Sequence, residues 1–251
     1  MSYEQFAYLY DELMQDAPYT EWVQFVKEKL HTYQVDGKAL LDLACGTGEL
    51  SVRFAKEGFS VTGVDLSSDM LAVAQVKAQA EGLAISFYEQ NMAELKGHDL
   101  FDIIGIFCDS LNYLQSEEEV IQTFSGAYQH LKDEGLFIFD VHSLYKVTNV
   151  FVEQTYAMAE EHLSYIWNSF PGEMPYSVEH ELSFFVLDDQ TGRYDRFDEI
   201  HYQRTYPIDQ YSQWLAEAGF ELLQVCADFQ DSAPDDKTER ILFVARKKPS
   251  K

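Results

Sequence analysis

Five side chains with chemistry to offer fall at regular points along the first 140 residues, each in or just after an apolar run: Asp42, Asp65, Asn91, Asp109 and Asp140. The first lies in Leu40-Leu41-Asp42-Leu43-Ala44-Cys45-Gly46-Thr47-Gly48-Glu49-Leu50. Gly46 and Gly48 let the backbone turn sharply and approach a ligand where any Cβ would intrude. A helix opening directly afterwards would present unpaired N–H groups to that ligand. Asp65 closes a second apolar run, where a carboxylate can accept two hydrogen bonds from a ribose diol. That chemistry selects a nucleoside-containing cofactor and disfavours a 2′-phosphate. An acid at a helix N-terminus, favoured by the dipole, would read the same way in isolation. The register of Asp65 with the glycine turn favours the ligand role.

The elements that must position these residues follow from periodicity. Leu40–Leu43, Ser60–Asp65, Ile85–Tyr88, Phe101–Cys108 and Leu136–Val141 read as short buried strands. Helices alternate with them: one after Gly48 ending at Gly58, one N-capped by Ser67 and closed by Glu81-Gly82, and one opened by the capping box Ser116–Glu119. Strand and helix alternate in this way from Lys38 to Val141. The pattern specifies a doubly wound, mostly parallel sheet covered on both faces, with ligands beyond the C-terminal strand ends. Ahead of it, Phe6, Leu9, Tyr10 and Leu13 have the spacing of a short amphipathic helix. Thr20 is placed to N-cap a second helix carrying Trp22, Val23, Phe25, Val26 and Leu30.

Beyond His142 the period changes. Phe151–Met158 with Glu161–Phe170, and Ser177–Leu187 with Arg193–Tyr206, read as antiparallel pairs. The α/β pattern then resumes with a helix from Pro207 to Gly219 and two strands, Phe220–Phe229 and Arg240–Arg246, forming a hairpin. The expected organisation is a single domain: a helical cap over 1–36, a core of 37–142 and 207–251, and an inserted β-rich flap over 143–206.

Composition narrows the partners. A net charge of −25 repels phosphate backbones, and the one basic cluster, Arg246-Lys247-Lys248 with Lys251, is too short to offset it. Nucleic acid is disfavoured as a substrate. Cys45, Cys108 and Cys226 have no metal or disulfide spacing, and no His/Cys/Asp group has ligand spacing. No run is long enough to span a bilayer and the N-terminus is not a signal peptide, so a cytoplasmic location is expected. The sequence leaves oligomeric state open.

Two cofactor classes use a glycine turn followed by an acid. A dinucleotide fingerprint needs a third glycine where this chain has Ser51, which weakens a nicotinamide site. The other class is S-adenosylmethionine. Here Leu41–Gly48 resembles the first motif of the class I S-adenosylmethionine-dependent methyltransferases, Val64-Asp65-Leu66-Ser67 with Met70-Leu71 their second, and Gln90-Asn91-Met92 their adenine-contacting motif. Phe220 to the C-terminus resembles their closing hairpin. Tyr3–Asp11 and Asp109–Tyr113 resemble a bacterial small-molecule branch with a β insertion.

The resemblance implies a Rossmann-like seven-stranded sheet and methyl transfer to a small molecule, with S-adenosylhomocysteine as product. By it, the cofactor side comprises Tyr10, Asp42, Ala44, Gly46, Gly48, Asp65, Leu66, Met70, Asn91, Met92 and Cys108. Asp65 would bind the ribose hydroxyls, Leu66 and Met70 would pack near the adenine, and Asn91 and the Met92 N–H would contact its edge. Relatives often carry Asp in place of Asn91, and Pro-Gly-Gly at the surface turn Lys132-Asp133-Glu134-Gly135. Tyr10 would face the sulfonium or close over the cofactor. Methyl transfer depends chiefly on alignment and on excluding water. A base is needed only for a protonated nucleophile, and Tyr113 and His142, each just past a strand end, are the catalytic candidates. His180 and His201 lie on flap strands and could face either way. The rival readings are an NAD-dependent oxidoreductase, a non-catalytic S-adenosylmethionine-binding regulatory module, and an RNA or protein methyltransferase.

Overall fold

The computed structural model describes residues 9–249. Residues 9–13 are helical, whereas Tyr3, Phe6 and Tyr8 lie outside the described residues. Helix α1 (Tyr19–Tyr33) starts on Pro18, so Thr20 sits inside the first turn and does not cap it. Proline's fixed φ and missing N–H suit it to that boundary.

Strands β1 (Ala39–Leu43), β2 (Ser60–Asp65), β3 (Ser86–Glu89), β4 (Phe101–Ile106) and β5 (Leu131–His142) run parallel. Helices α2 (Glu49–Lys56), α3 (Ser68–Ala80) and α4 (Glu117–His130) link them. The Ser67 cap on α3 and the Ser116/Glu119 capping box on α4 form as their residue types dictate. The fourth strand stops at Ile106, because Cys108 and Asp109 turn into the left-handed region (φ 54° and 52°). The fifth begins five residues before Leu136. Residues expected as a surface turn, Lys132-Asp133-Glu134-Gly135, fall within β5 as a bulge: Asp133 and Glu134 are exposed, Glu134 has φ 64°, Gly135 is buried, and Lys132 reaches Asp102 at 3.0 Å.

Between the core's last two passes lies the flap, a meander of β6 (Gln154–Ala159), β7 (Leu163–Pro171), β8 (Ser177–Asp188) and β9 (Arg193–Arg204). Its first strand starts later than expected because Lys146–Val150 form a wide helical turn. Helix α5 (Ile208–Ala218) then leads into β10 (Phe220–Ala227) and β11 (Arg240–Lys247). The main sheet has seven strands in the order β10-β11-β5-β4-β1-β2-β3, with β11 antiparallel to both neighbours. Strand order reverses between β1 and β4, so the ligand crevice of such a sheet opens there.

Period-two alternation divides the core into two layers. Leu41, Leu43, Ile104, Phe137 and Phe139 pack under α4 and α5; Leu40, Ile103, Leu136 and Ile138 pack under α1, α2 and α3. The rings of Phe139 and Phe243 stack at 4.7 Å across β5 and β11. The flap turns Leu163 and Phe184 toward Leu9, Tyr10 and Leu13, and Met70 of α3 joins that cluster. The N-terminal segment is thus held between flap and core. No helix among the described residues is long and apolar enough to cross a membrane.

Candidate functional site

The turn after β1 places Ala44, Gly46 and Gly48 at φ 65°, 55° and 72°. Cys45 N donates to Val64 O and Gly48 N to Cys45 O, both at 2.9 Å, which fixes the loop against β2. A Cβ built on Gly46 would meet no protein atom within 4 Å, so this backbone is bare toward open space. Gly48 differs: a Cβ there would lie 2.8 Å from the Ala74 Cβ. Glycine at this position lets the loop pack onto α3.

Asp65 ends β2 beside the same turn. Its Oδ2 accepts from Gly46 N at 2.7 Å and its Oδ1 from Ser67 N at 2.9 Å. Burial raises its pKa above the ordinary carboxylate value, and those two N–H groups partly offset the rise. Each oxygen keeps a lone pair for a further donor. A bare glycine backbone and a half-buried carboxylate aimed along it fit the aminoacyl and ribose parts of a nucleoside sulfonium. Leu66, next to Asp65, is 68% exposed, an apolar side chain held out where an adenine face could cover it.

Asp42 lies at the base of the turn and borders the cavity over it. It is buried, accepts from Ser51 Oγ at 2.5 Å, and is pushed by burial up to about 7. Ser51, the residue that breaks the dinucleotide fingerprint, is therefore the hydrogen-bond partner that burial of Asp42 requires. Asn91 uses its Oδ1 to accept from Ala93 N at 2.9 Å, capping the short 3-10 turn Met92–Glu94. Its amide nitrogen and second lone pair remain, while Met92 packs on the core.

Tyr10, Tyr19, Ala44, Thr47 and Cys108 line a cavity of about 40 Å³ over the glycine turn. Ligand pockets are commonly several hundred Å³, and this one is far smaller. The N-terminal segment closes it through charge: Asp11 accepts from Thr47 Oγ1 at 2.5 Å and pairs with Lys77 Nζ at 2.7 Å, and Lys77 pairs with Glu49 at 3.0 Å. Burial, reinforced by nearby Cys108, raises the Tyr10 hydroxyl well above its ordinary range, so it stays a neutral phenol. A wider opening of about 650 Å³ lies at the N-terminal end of β1, by Gly37 and Lys38, far from these side chains.

On the other side of Cys108, the acids after β4 and in β5 build a buried charge network. Asp109 accepts from Gln203 Nε2 and Arg240 Nη2, each at 3.0 Å, and lies 3.1 Å from His142 Nε2. Asp140 accepts from Trp22 Nε1 at 2.7 Å, from Asp109 N at 2.9 Å and from Arg240 Nη1. The Arg240 guanidinium lies over the Trp22 ring. His142 and Arg240 hold the Asp109 carboxyl well below the usual range, outweighing burial, and the two acids raise the guanidinium in turn. Two consecutive non-glycine residues with positive φ cost about 1–2 kcal/mol each, and this network over-determines them.

The two catalytic candidates separate. His142 is buried, its backbone N accepted by Asn112 Oδ1 at 2.9 Å and its C=O bonded by Thr205 Oγ1 at 2.6 Å. Tyr113 is 45% exposed, with its hydroxyl 3.2 Å from His201 Nδ1. Arg240 and Gln203 were not singled out from the sequence. The signal for Arg240 was the hairpin: antiparallel pairing sets Arg240 opposite His142, at the C-terminal end of β5. Gln203 and His180 come from the flap, whose facing no motif reveals. Among the described residues no group of His, Cys, Asp and Glu is placed to hold a metal.

Comparison with known proteins follows the same lines. Residues 40–135 match the family model described as a methyltransferase domain. A relative from Geobacillus sp. (strain WCH70), provisionally described as a methyltransferase, is 56% identical over 98% of this chain and 100% of its own length. One from Bacillus subtilis (strain 168), described in the same way, is 47% identical over 98% of both chains. The crystal structure of a S-adenosylmethionine-dependent methyltransferase from Clostridium acetobutylicum ATCC 824 superposes with a TM-score of 0.88 at 30% identity, over 98% of this chain and 99% of that one. A sugar N-methyltransferase from Streptoalloteichus sp. superposes at 0.80 over 96% and 93%, but at 19% identity that likeness speaks to fold alone.

Proposed function

The chain belongs to the S-adenosylmethionine-dependent methyltransferases, and from that premise we propose that it methylates a small molecule bound between the glycine turn and the flap. The observation that carries the reading is the Asp65 carboxylate tied to Gly46 N at 2.7 Å, which sets a diol-binding group beside a bare backbone. On this reading Asp65 takes the ribose hydroxyls, while Leu66 and Met70 cover the adenine. Asn91 and the Met92 N–H meet its edge, and Ala44 and Gly46 run along the methionine portion. Tyr10 and Cys108 border the sulfonium from the lid and from the β4 turn. Gly48 serves the cofactor indirectly, by holding the loop, and Asp42 borders the cavity beside it.

The cofactor supplies a methyl on a cationic sulfur and leaves as a neutral thioether. What the protein contributes is alignment, exclusion of water and, for a protonated acceptor, a base. His142 is the better-supported base. Its Nε2 lies 3.1 Å from the Asp109 carboxylate, which orients the ring; in the neutral ring with Nε2–H, Nδ1 is the hydrogen-bond acceptor. Tyr113, with His201, lies at the outer margin, where it can orient an entering molecule.

A small acceptor is favoured over nucleic acid by the charge of −25 and by a site roofed by the flap. A single domain with cap, core and flap, and a cytoplasmic location, complete the reading. An oxidoreductase has no third glycine to support it, and the relatives and structures that the chain resembles are described as methyltransferases, not as regulatory modules. The test is transfer of labelled methyl from S-adenosylmethionine into a fractionated metabolite extract. Label in a small-molecule fraction is expected; label confined to RNA or protein would overturn the acceptor class.

A further inference from the structure

Phe107, Cys108 and Ser110 of the turn after β4 line the cavity over the glycine turn. Within that turn Cys108 and Asp109 hold φ 54° and 52°, a strained backbone that persists only where the surroundings over-determine it. For Asp109 they do. Its N–H donates to Asp140 at 2.9 Å, and Arg240 meets one carboxylate oxygen at 3.0 Å. The other oxygen accepts from Gln203 Nε2 at 3.0 Å and faces His142 Nε2 at 3.1 Å. Asp140, His142 and Arg240 stand on the core strands β5 and β11, whereas Gln203 comes from β9 of the flap.

Gln203 is fixed from the flap side as well. It is 4% exposed and carries a second side-chain hydrogen bond, to His180 of β8. His180 Nδ1 accepts from Trp167 Nε1 at 2.9 Å and lies 2.8 Å from Ser169 Oγ, both on β7. An indole N–H only donates, so a neutral His180 carries its proton on Nε2. Burial lowers His180 to about 4, which keeps the ring neutral at physiological pH. Its Nε2–H then donates to the Gln203 carbonyl, because the Gln203 amide N–H is given to Asp109. The donors run one way, from Trp167 to His180 to Gln203 to Asp109. A flipped amide would set its oxygen against the Asp109 carboxylate. The strand is also tied down on either side of Gln203: Gln115 Nε2 donates to Tyr202 O and Asn112 Nδ2 to Arg204 O, both at 2.8 Å. Asn112 and Gln115 follow the same turn, so a shift of the turn is carried into β9.

We propose that Gln203 is a positioning residue that couples the cofactor cavity to the flap, acting through Asp109. Filling the cavity sets the Cys108–Asp109 turn, the turn sets Gln203, and Gln203 sets the inner face of β8 and β7 through His180. Linkage makes the effect reciprocal: a displaced flap deprives Asp109 of a donor and loosens the cavity wall. Cofactor and acceptor therefore bind cooperatively. The proposal rests on the methyltransferase reading above, because it takes the cavity to be the cofactor's.

The experiment is nitrogen-15 NMR of the full-length protein, labelled at histidine and at glutamine and titrated with S-adenosylhomocysteine, with affinity read by calorimetry. In the native protein His180 is expected as the Nε2–H tautomer. Its ring signals and the Gln203 side-chain amide are expected to shift together and saturate at the calorimetric affinity, although neither residue lines the cavity. Gln203→Met keeps the length of the side chain without its donor or acceptor. It should bind S-adenosylhomocysteine about five- to tenfold more weakly, the worth of one hydrogen bond, and lose the His180 response. An Nδ1–H tautomer at His180 overturns the proposal, as does a His180 ring or Gln203 amide that stays still while S-adenosylhomocysteine binds. Native affinity or a full His180 response in Gln203→Met also overturns it, and the latter would route the signal through Phe151, whose ring meets both His142 and His180. If Gln203→Met does not fold, the two native signals decide. If S-adenosylhomocysteine fails to bind the native protein, the cofactor site has been misread and the proposal falls with it; binding without a response sinks the proposal alone.

Discussion

Asp109 and Arg240, 131 residues apart in sequence, lie 3.0 Å apart in the fold, and Arg240 also holds Asp140. One guanidinium therefore joins the turn after β4, the end of β5 and the start of β11. Asp109→Asn leaves the guanidinium with a single acid and weakens the hold on His142. Breaking a buried pair costs about 3–5 kcal/mol, read as a loss of that order in urea unfolding at pH 7. The pH dependence has a definite sign. Because the folded pKa of Asp109 is depressed, its contribution is fully present above the unfolded value of about 4 and is lost as pH falls toward the folded one. The variant should show a shallower loss of stability below pH 4 than the native chain.

Asp42 shifts the other way. Burial pushes it up to about 7, so its ionisation opposes the fold from about pH 4 up to that value. Stability should fall with rising pH across that window by at most about 1.4 kcal/mol per pH unit from this group. Asp42→Asn keeps an acceptor for Ser51 Oγ and removes the charge. It should melt higher than the native protein at pH 8, with the difference shrinking toward pH 5. A melting-temperature series across that range checks both parts.

Asp11 with Lys77 is the latch that closes the N-terminal segment over the cofactor cavity. Half-exposed ion pairs contribute about 0.2–1 kcal/mol and are screened by salt. Asp11→Ala should leave global stability nearly unchanged while hydrogen-exchange protection of residues 9–13 falls several-fold. Raising salt on the native chain should reproduce part of that effect. Unchanged protection in the variant would mean that Leu9, Tyr10 and Leu13 hold the segment by packing alone.

How far the sequence reached depended on the range of the interaction. The parallel core was legible because each strand and helix carries its own period, and because Ser67, Ser116, Gly58 and Gly219 mark helix ends through local hydrogen bonding and left-handed backbone. Thr20 misled because Pro18 two residues earlier sets the boundary. The end of β4 was read too long because Cys108 is apolar, while the left-handed turn at Cys108 and Asp109 is held by the tertiary bonds of Asp109 to Asp140 and Arg240. The flap strands were visible as alternation. Which flap face meets the core was not, because His180 and His201 directly oppose each other in register and either face is compatible with the pattern. The glycine turn pointed to the cofactor, but the residues gathered around Asp109 and His142, among them Gln203 and Arg240, are far apart in sequence with no shared spacing.

The most direct test is calorimetric titration of S-adenosylhomocysteine into the native protein and into Asp65→Ala, with NAD as the control ligand. The ribose hydroxyls would lose two hydrogen bonds to a charged group, each worth about 1.5–3 kcal/mol, so affinity should fall at least about a hundredfold with NAD inert throughout. Binding by Asp65→Ala within two- to threefold of native, or binding of NAD in place of S-adenosylhomocysteine, would contradict the site built on Gly46 and Asp65.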